Sequence, residues 1–431
     1  MFNLTVTERP IAIDLFAGCG GMSLGLEAAG FDVAVAVEFD AVHSIVHHFN
    51  FPYCNTICRD ISQVKSSEIL YALKSKGYKT DVDLIAGGPP CQGFSHIGKR
   101  QIDDPRNSLV FEYLRIISEI RPKYFLFENV PGIATGEHRQ FLEELISEFE
   151  LIGYNVQKPV RILDASKYGA PQKRKRLILI GSRSDVSPTK YPESFCGNIS
   201  SINGDLFAEK ISPLTTVSES ISDLATINPF TEVDSGIPIA SLDYRGKRQK
   251  YSIYPNDIFS LCHKRIVDEL VYGHVASAHT QVSIDRFAKV EPGTVEPKSR
   301  FLKLSANGLC NTLRAGTNSD KGAYTAPRPI HYSIPRCITV REAARLHTFP
   351  DWFQFHKTIW HGFREIGNAV IPALSKELGS SVIDALGINA TKLNCKVLEK
   401  MPDDMLGYNM SRASEYWGIA DDVIPKRKRL A

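Results

Sequence analysis

Residues 11–30 constrain the fold more than any other stretch. Ile11-Ala12-Ile13-Asp14-Leu15-Phe16-Ala17 is an apolar run that Gly18-Cys19-Gly20-Gly21 interrupts. Met22 to Ala29 then reads as a helix that stops at Gly30. Strand, glycine turn and helix in that order open an α/β unit, and glycines let a ligand approach the backbone closely. A dinucleotide fingerprint wants a third glycine at position 23, where this chain carries Ser23. A nucleotide-like ligand without a pyrophosphate fits better than a nicotinamide cofactor. The plainer alternative is a tight turn with no ligand.

The stretches that follow repeat the pattern. Phe31 to Val37 is β-rich and ends in Glu38-Phe39-Asp40. An acid at the tip of the second strand, about 20 residues past the first glycines, is where a ribose diol is held. Asp60, after a third short stretch, could meet an adenine amino group. Val82 to Ala86 is a buried strand that runs into Gly87-Gly88-Pro89-Pro90-Cys91-Gln92-Gly93-Phe94-Ser95. That turn presents a thiol at the rim of the sheet, where open α/β folds bind ligands. A lone cysteine is more often a small core hydrophobe, but a core cysteine needs no Pro-Pro platform. His96 to Asn107 is a charged segment beside the thiol and a candidate lid.

Ser108 to Ile120 has helical spacing. Tyr124 to Val130 is a further buried strand ending in Glu128, and burial there can raise a carboxyl pKa and make it a proton donor. Gln140 to Leu151 reads as an amphipathic helix. Gln172-Lys173-Arg174-Lys175-Arg176 feeds the strand Leu177 to Ile180. Arg174 and Arg176, two apart, would point the same way if extended, towards an anion or a base carbonyl.

From about Ser182 the texture loosens, and basic-aromatic pieces such as Tyr244-Arg245-Gly246-Lys247-Arg248-Gln249-Lys250-Tyr251 appear. Lys, Arg and Tyr together suit phosphate and base contacts. Residues 185–345 read as a second, loop-rich domain. The net charge of +3 gives no bulk signal for a nucleic-acid partner. Nine scattered cysteines suit a reducing compartment, and Cys54 and Cys58 are expected to be structural. No signal peptide is expected, and no apolar run is long enough to span a bilayer.

Taken together, the chain resembles the DNA (cytosine-5-)-methyltransferases, especially those of bacterial restriction-modification systems. The pieces that carry the resemblance are Asp14-Leu-Phe-Ala-Gly-Cys-Gly-Gly21, Glu38, Asp60, Gly88-Pro-Pro-Cys-Gln92, Glu128-Asn129-Val130, Gln172 to Arg176, Arg341-Glu-Ala-Ala-Arg345 and Gly367-Asn-Ala-Val370. They follow the family's order across nearly the whole chain. Ile371 departs from the pattern, since many members have proline there. The segment after the final helix has no assigned family role.

The resemblance implies a Rossmann-like α/β domain that uses S-adenosyl-L-methionine, formed by residues 1–184 plus 346–431, with a smaller target-recognition domain over 185–345. It implies a cofactor pocket lined by Asp14, Phe16, Ala17, Gly18, Gly20, Gly21, Glu38, Phe39, Asp60, Ile61, Gly88, Pro90, Leu109, Asn368, Ala369 and Val370. Cys91, Glu128, Arg174 and Arg176 would be catalytic. The thiolate would attack carbon 6 of a flipped-out cytosine, Glu128 would serve ring nitrogen 3, and Arg174 the base carbonyl. Arg176 would support Glu128 or a phosphate. Gln92, Ser95, Arg245, Lys247, Arg248 and Arg314 are the expected DNA contacts. No metal is expected. The implied setting is the bacterial cytoplasm at the nucleoid, as a monomer on duplex DNA paired in function with a restriction endonuclease. A tRNA cytosine-5 methyltransferase and a catalytically silent DNA-binding regulator are the rival readings.

Overall fold

A computed structural model describes residues 8–90, 108–136, 138–197, 212–230, 234–242, 259–266, 269–316 and 328–421. Eight strands form one sheet: β1 (Ile11–Leu15), β2 (Asp32–Glu38), β3 (Asn55–Cys58), β4 (Leu84–Gly87), β5 (Tyr124–Asn129), β6 (Tyr154–Val156), β7 (Arg161–Asp164) and β8 (Lys175–Arg183). The order is β3-β2-β1-β4-β5-β8-β6, with β7 also on β8. β1 to β5 are parallel, and β8 runs antiparallel to β5.

The connecting helices are α1 (Gly21–Ala29), α2 (Ala41–Asn50), α3 (Ser66–Ser75), α4 (Ser108–Ile120) and α5 (His138–Leu151). Later come α6 (Val217–Ile221), α7 (Gln281–Lys289), α8 (Val340–Leu346), α9 (Ile359–Asn368), α10 (Pro372–Ala385) and α11 (Met410–Trp417). Each expected strand and helix of the first 184 residues is present, within a few residues at the ends.

Both faces of the sheet are covered, as a parallel sheet requires. Ile11, Ile13 and Leu15 of β1 face one core with Phe125 and Phe127 of β5 and the apolar stripe of α4. Ala12 and Leu126 face the other, against α1, α8, α9 and α10. β2 is buried along its length up to Val37, so its outline is that of a central strand with no polar face.

The C-terminal segment returns to the glycine turn, as the resemblance implied. A Cβ at Gly21 would lie 2.3 Å from Val370 O, and one at Gly25 would lie 2.4 Å from Ser375 Cβ. Ala would not fit at either position without moving backbone or core side chains. Ile371 fills the core at 1% exposure.

Two expectations change. The first is the domain boundary. Residues 185–345 do not stand apart from the main core: Val217, Ile221, Phe259, Cys262, Leu304, Leu313 and Ile338 are all buried in it. The Arg265 guanidinium grips Glu27 of α1 at 2.7 and 2.9 Å, and His263 bonds Asp32 at 2.9 Å. Among the described residues of this region, separate small cores form around Leu224, Ile239, Leu242 and Val271, and around Phe287, Ile330 and Cys337. The second concerns the chain after α10. Residues 397–398 pair with 264–265, and Met405 and Ala413 cover Ala41, Val42 and Ile45 of α2. That extension shields a helix face that would otherwise be bare. Among the described residues no helix is long and apolar enough to cross a membrane.

Candidate active site

In the strand order, β1 has β2 on one side and β4 on the other, and the chain direction of travel reverses between β1 and β4. A crevice at the carboxyl ends of such strands is where open α/β sheets take ligands. The carboxyl end of β1 gives Phe16 to Gly21, that of β2 gives Glu38, β3 leads to Asp60, β4 to Gly88 and Pro90, and β5 ends in Glu128 and Asn129.

The turn after β1 is held in an unusual shape. Phe16 has φ 63°, Gly18 57° and Gly20 103°, all in the left-handed region. A Cβ on Gly20 would come 2.4 Å from the Phe51 ring, whereas one on Gly18 would meet nothing within 4 Å. Gly20 is therefore there for packing, and Gly18 borders open space. The Gly18 N–H donates to Glu38 Oε2 at 2.8 Å, and the Asp40 N–H donates to Oε1 at 2.9 Å. These bonds fix the carboxylate at the rim. Burial pushes its pKa up to about 7 against those amides, with Asp40 adding to the rise.

Phe16, after β1, is half-buried, and Phe39, after β2, is 41% exposed. Asp60 lies alongside, with Oδ1 accepting from the Ser62 N–H at 2.9 Å, and Ile61 is buried next to it. Leu109 is half-buried, and Asn368 at the end of α9 is exposed, followed by buried Ala369 and half-buried Val370. Open space over a glycine, an acid at the end of the second strand and a partly exposed aromatic ring suit an adenosine-bearing cofactor.

Asp14 is a correction. It is 1% exposed and accepts the Ser23 hydroxyl at 2.6 Å. Ser23 also meets His47 Nε2 at 3.0 Å, and His47 Nδ1 meets Thr56 Oγ1 at 3.2 Å. Asp14 therefore braces α1 from beneath and is not placed to touch a ligand. Burial pushes its carboxyl up to about 7. Ser23, where a dinucleotide fold would have glycine, is the group that makes this brace.

The second half of the site surrounds the turn after β4. Glu128 Oε2 would be 2.9 Å from a Cβ on Gly88, so only glycine lets the carboxylate sit there. Asn129 Nδ2 donates to Pro89 O at 3.0 Å and ties the Pro-Pro turn to β5. Periodicity assigns Asn129 no task, and its place right after the acid is the signal that marks it. Arg176 Nε pairs with Glu128 Oε1 at 2.6 Å, with both side chains mostly buried.

Arg174 lies in the field of both Arg176 and Glu128, and its guanidinium is held by backbone carbonyls. Arg174, 3% exposed, donates from Nη1 to Leu313 O at 2.8 Å and from Nη2 to Gly367 O and Ala369 O at 3.1 and 3.0 Å. Its Nε is buried and has no partner. Arg174 also continues the pairing of β7 with β8, its carbonyl accepting from the Ala165 N–H at 2.9 Å. Burial lowers its pKa to about 9, with Arg176 adding to the fall. Cys91, Gln92, Ser95, Arg245, Lys247, Arg248 and the lid segment 96–107 lie outside the described residues.

The arginines of the Arg341-to-Arg345 piece serve the architecture. Arg345 bonds Asp351 and Asp223, while Arg341 holds the carbonyls of Tyr272, Pro350 and Phe353. Burial alone would raise Glu342, but Arg336 holds it at about 2.

The model of the C-5 cytosine-specific DNA methylases matches residues 11–384. The chain belongs to that family. The methylase transfers a methyl group from S-adenosylmethionine to carbon 5 of cytosine in DNA. It is 45% identical over 426 residues to the type II methyltransferase M.XorII of Xanthomonas oryzae pv. oryzae, covering 98% of this chain and 95% of that one. It is 34% identical to M.DdeI of Desulfomicrobium norvegicum, over 86% and 88% of the two chains. A solved E. coli prophage-encoded DNA modification methyltransferase superposes with a TM-score of 0.70 at 30% identity, covering 88% of the methylase and 99% of that chain. The S. pombe Dnmt2 methyltransferase shares the fold, at a TM-score of 0.55 and 16% identity over 88% of the methylase and 100% of its own chain.

One prediction arises beside the pocket. Glu365 of α9 is 1% exposed, and its Oε1 has no partner. Burial pushes its pKa from 4.5 to about 8, with Asp40 adding to the rise. The folded state therefore keeps a proton that the unfolded chain releases above 4.5. The cost is absent below that pH, grows by about 1.4 kcal/mol per unit, and levels off near 8. Glu365→Gln removes it. The variant should match wild type in denaturant melts near pH 4.5 and gain a few kcal/mol by pH 8. An increment that does not change with pH would contradict the assignment.

Proposed function

We propose that this methylase marks one short sequence in duplex DNA by a covalent mechanism, as the modification partner of a restriction endonuclease in a bacterial cytoplasm. The observation that carries the reading is the Glu128–Arg176 pair at 2.6 Å beside the turn that leads into Cys91. The target cytosine leaves the base stack, at a cost of a few kcal/mol, because carbon 6 cannot be reached within it. The Cys91 thiolate adds to carbon 6 and pushes electron density through the ring onto carbon 5. Glu128 donates to ring nitrogen 3 as that charge develops, and Arg176 holds its carboxyl in place. The unpartnered Nε–H of Arg174 is the donor left for the base carbonyl or for orienting the thiolate.

S-adenosylmethionine, when bound, supplies an electrophilic methyl group. Phe16 and Phe39 would hold its adenine with Asp60, Glu38 its ribose, and Gly18 to Gly21 with Asn368 its methionine end. Carbon 5 accepts the methyl group. Water then removes the carbon 5 proton, and the sulfur leaves. The recognition region is proposed within 185–345, less the segments buried in the main core. The enzyme acts as a monomer.

Labelled S-adenosylmethionine with mixed-sequence duplex DNA, followed by sequencing that distinguishes 5-methylcytosine, tests the proposal. Methylation at a single short motif is expected. Transfer to tRNA and not to duplex DNA would overturn the substrate.

A further inference from the structure

The loop that carries the two arginines has a neighbour. Residues 310–316 run beside it as a strap. The Cys310 N–H donates to Pro171 O, and the Lys173 N–H to Cys310 O, both at 2.8 Å. The Thr312 hydroxyl donates to Lys173 O at 2.6 Å, and the Leu313 N–H to Gln172 Oε1 at 3.0 Å. Arg174 closes the row on Leu313 O. On the strap's other side a Cβ at Gly367 would lie 2.2 Å from Ala315 N. The backbone on either side of Arg314 is thus fixed by two parts of the protein.

The Arg314 side chain is exposed, with no hydrogen-bond or ion-pair partner among the described residues. Lys173, in the adjacent loop, is also exposed and unpaired. The nearby carboxylates are engaged elsewhere: Glu128 by Arg176, and Asp164 by the Ser166 N–H and hydroxyl. Two uncompensated cations therefore stand on rigid backbone beside the site of the target base.

We propose that Lys173 and Arg314 form a two-cation grip for backbone phosphates of the DNA strand that carries the target cytosine. The inference rests on reading Cys91, Glu128 and Arg176 as the target-base site. The rigid strap lowers the ordering cost of the contact. A phosphate contact fixes register and carries no sequence information. Both residues act on binding and positioning, and neither touches the reacting atoms.

The test is equilibrium binding of wild type, Lys173→Ala, Arg314→Ala and Arg314→Lys to a duplex with the methylation site and to a scrambled duplex, across a salt series. S-adenosylhomocysteine is present throughout. Each alanine variant should flatten the slope of log K against log salt by about 0.9 and weaken both duplexes by the same factor. Arg314→Lys should restore the slope, which also separates the effect from misfolding. In steady-state assays the alanine variants should raise KM for DNA by a larger factor than they lower kcat. An unchanged salt slope overturns the grip. So does a loss confined to the specific duplex, which would make these residues base readers. Wild-type methylation of cytosine is scored in parallel. Its absence overturns the target-base site and the grip with it, whereas its presence beside unaltered variants overturns the grip alone.

Discussion

Cys91→Ser should lower methyl transfer by at least about 10⁴, the scale on which removal of a covalent nucleophile acts. A serine hydroxyl is far less ionised than a thiol at neutral pH, so it cannot add to carbon 6 at a useful rate. Without that addition carbon 5 stays a poor nucleophile, however well the cofactor is placed. Cofactor affinity should stay within a few-fold of wild type, because Gly18 follows β1, and Glu38 and Phe39 lie at the end of β2, away from the turn after β4. Single-turnover transfer to a duplex with one site, beside cofactor titration, measures both quantities. Near-normal transfer by the serine variant would remove Cys91 from the chemistry.

Glu128→Gln should slow the same single-turnover step by about 10²–10⁴, the usual share of acid–base help. The amide is nearly isosteric, which matters here because a Gly88 Cβ would already be only 2.9 Å from Oε2. Its oxygen can still accept from Arg176, and its NH2 can still donate to ring nitrogen 3. What it cannot do is give up a proton. The loss should therefore fall on the rate, with DNA affinity largely kept. A rate within twofold of wild type would leave Glu128 as a scaffold for Arg176 and nothing more.

The half of the molecule that was legible in the sequence is the half ruled by periodicity and turn chemistry. Apolar runs of four to seven residues ending in Gly, Pro or an acid marked β1, β2, β4 and β5, and the candidate site residues lie where those runs end. The direction of a side chain near such an end was less legible. Asp14 and Glu38 are both acids at the same sheet, yet one braces α1 from below and the other lies at the rim. Strand parity separates them only once the faces are known. Arg174 and Arg176 share a parity but not their partners, since Arg174 binds carbonyls of distant segments and Arg176 pairs with Glu128. The 185–345 region was read by texture, and texture does not reveal that Phe259, Cys262 and Arg265 anchor in the main core. Long-range ion pairs such as Arg345 with Asp223, or His263 with Asp32, leave no local pattern to read.

The seating of α10 on α1 has a consequence in time. The whole sheet is encoded by residues 11–183, but the wall closing the glycine turn comes from residues 362–385. A ribosome that has delivered the sheet has therefore made strands without a cofactor pocket. The nascent chain is expected to stay inert until synthesis has passed α10. A message cut short before that point is expected to give no methylating fragment, which a transfer assay on a chain ended before α10 checks.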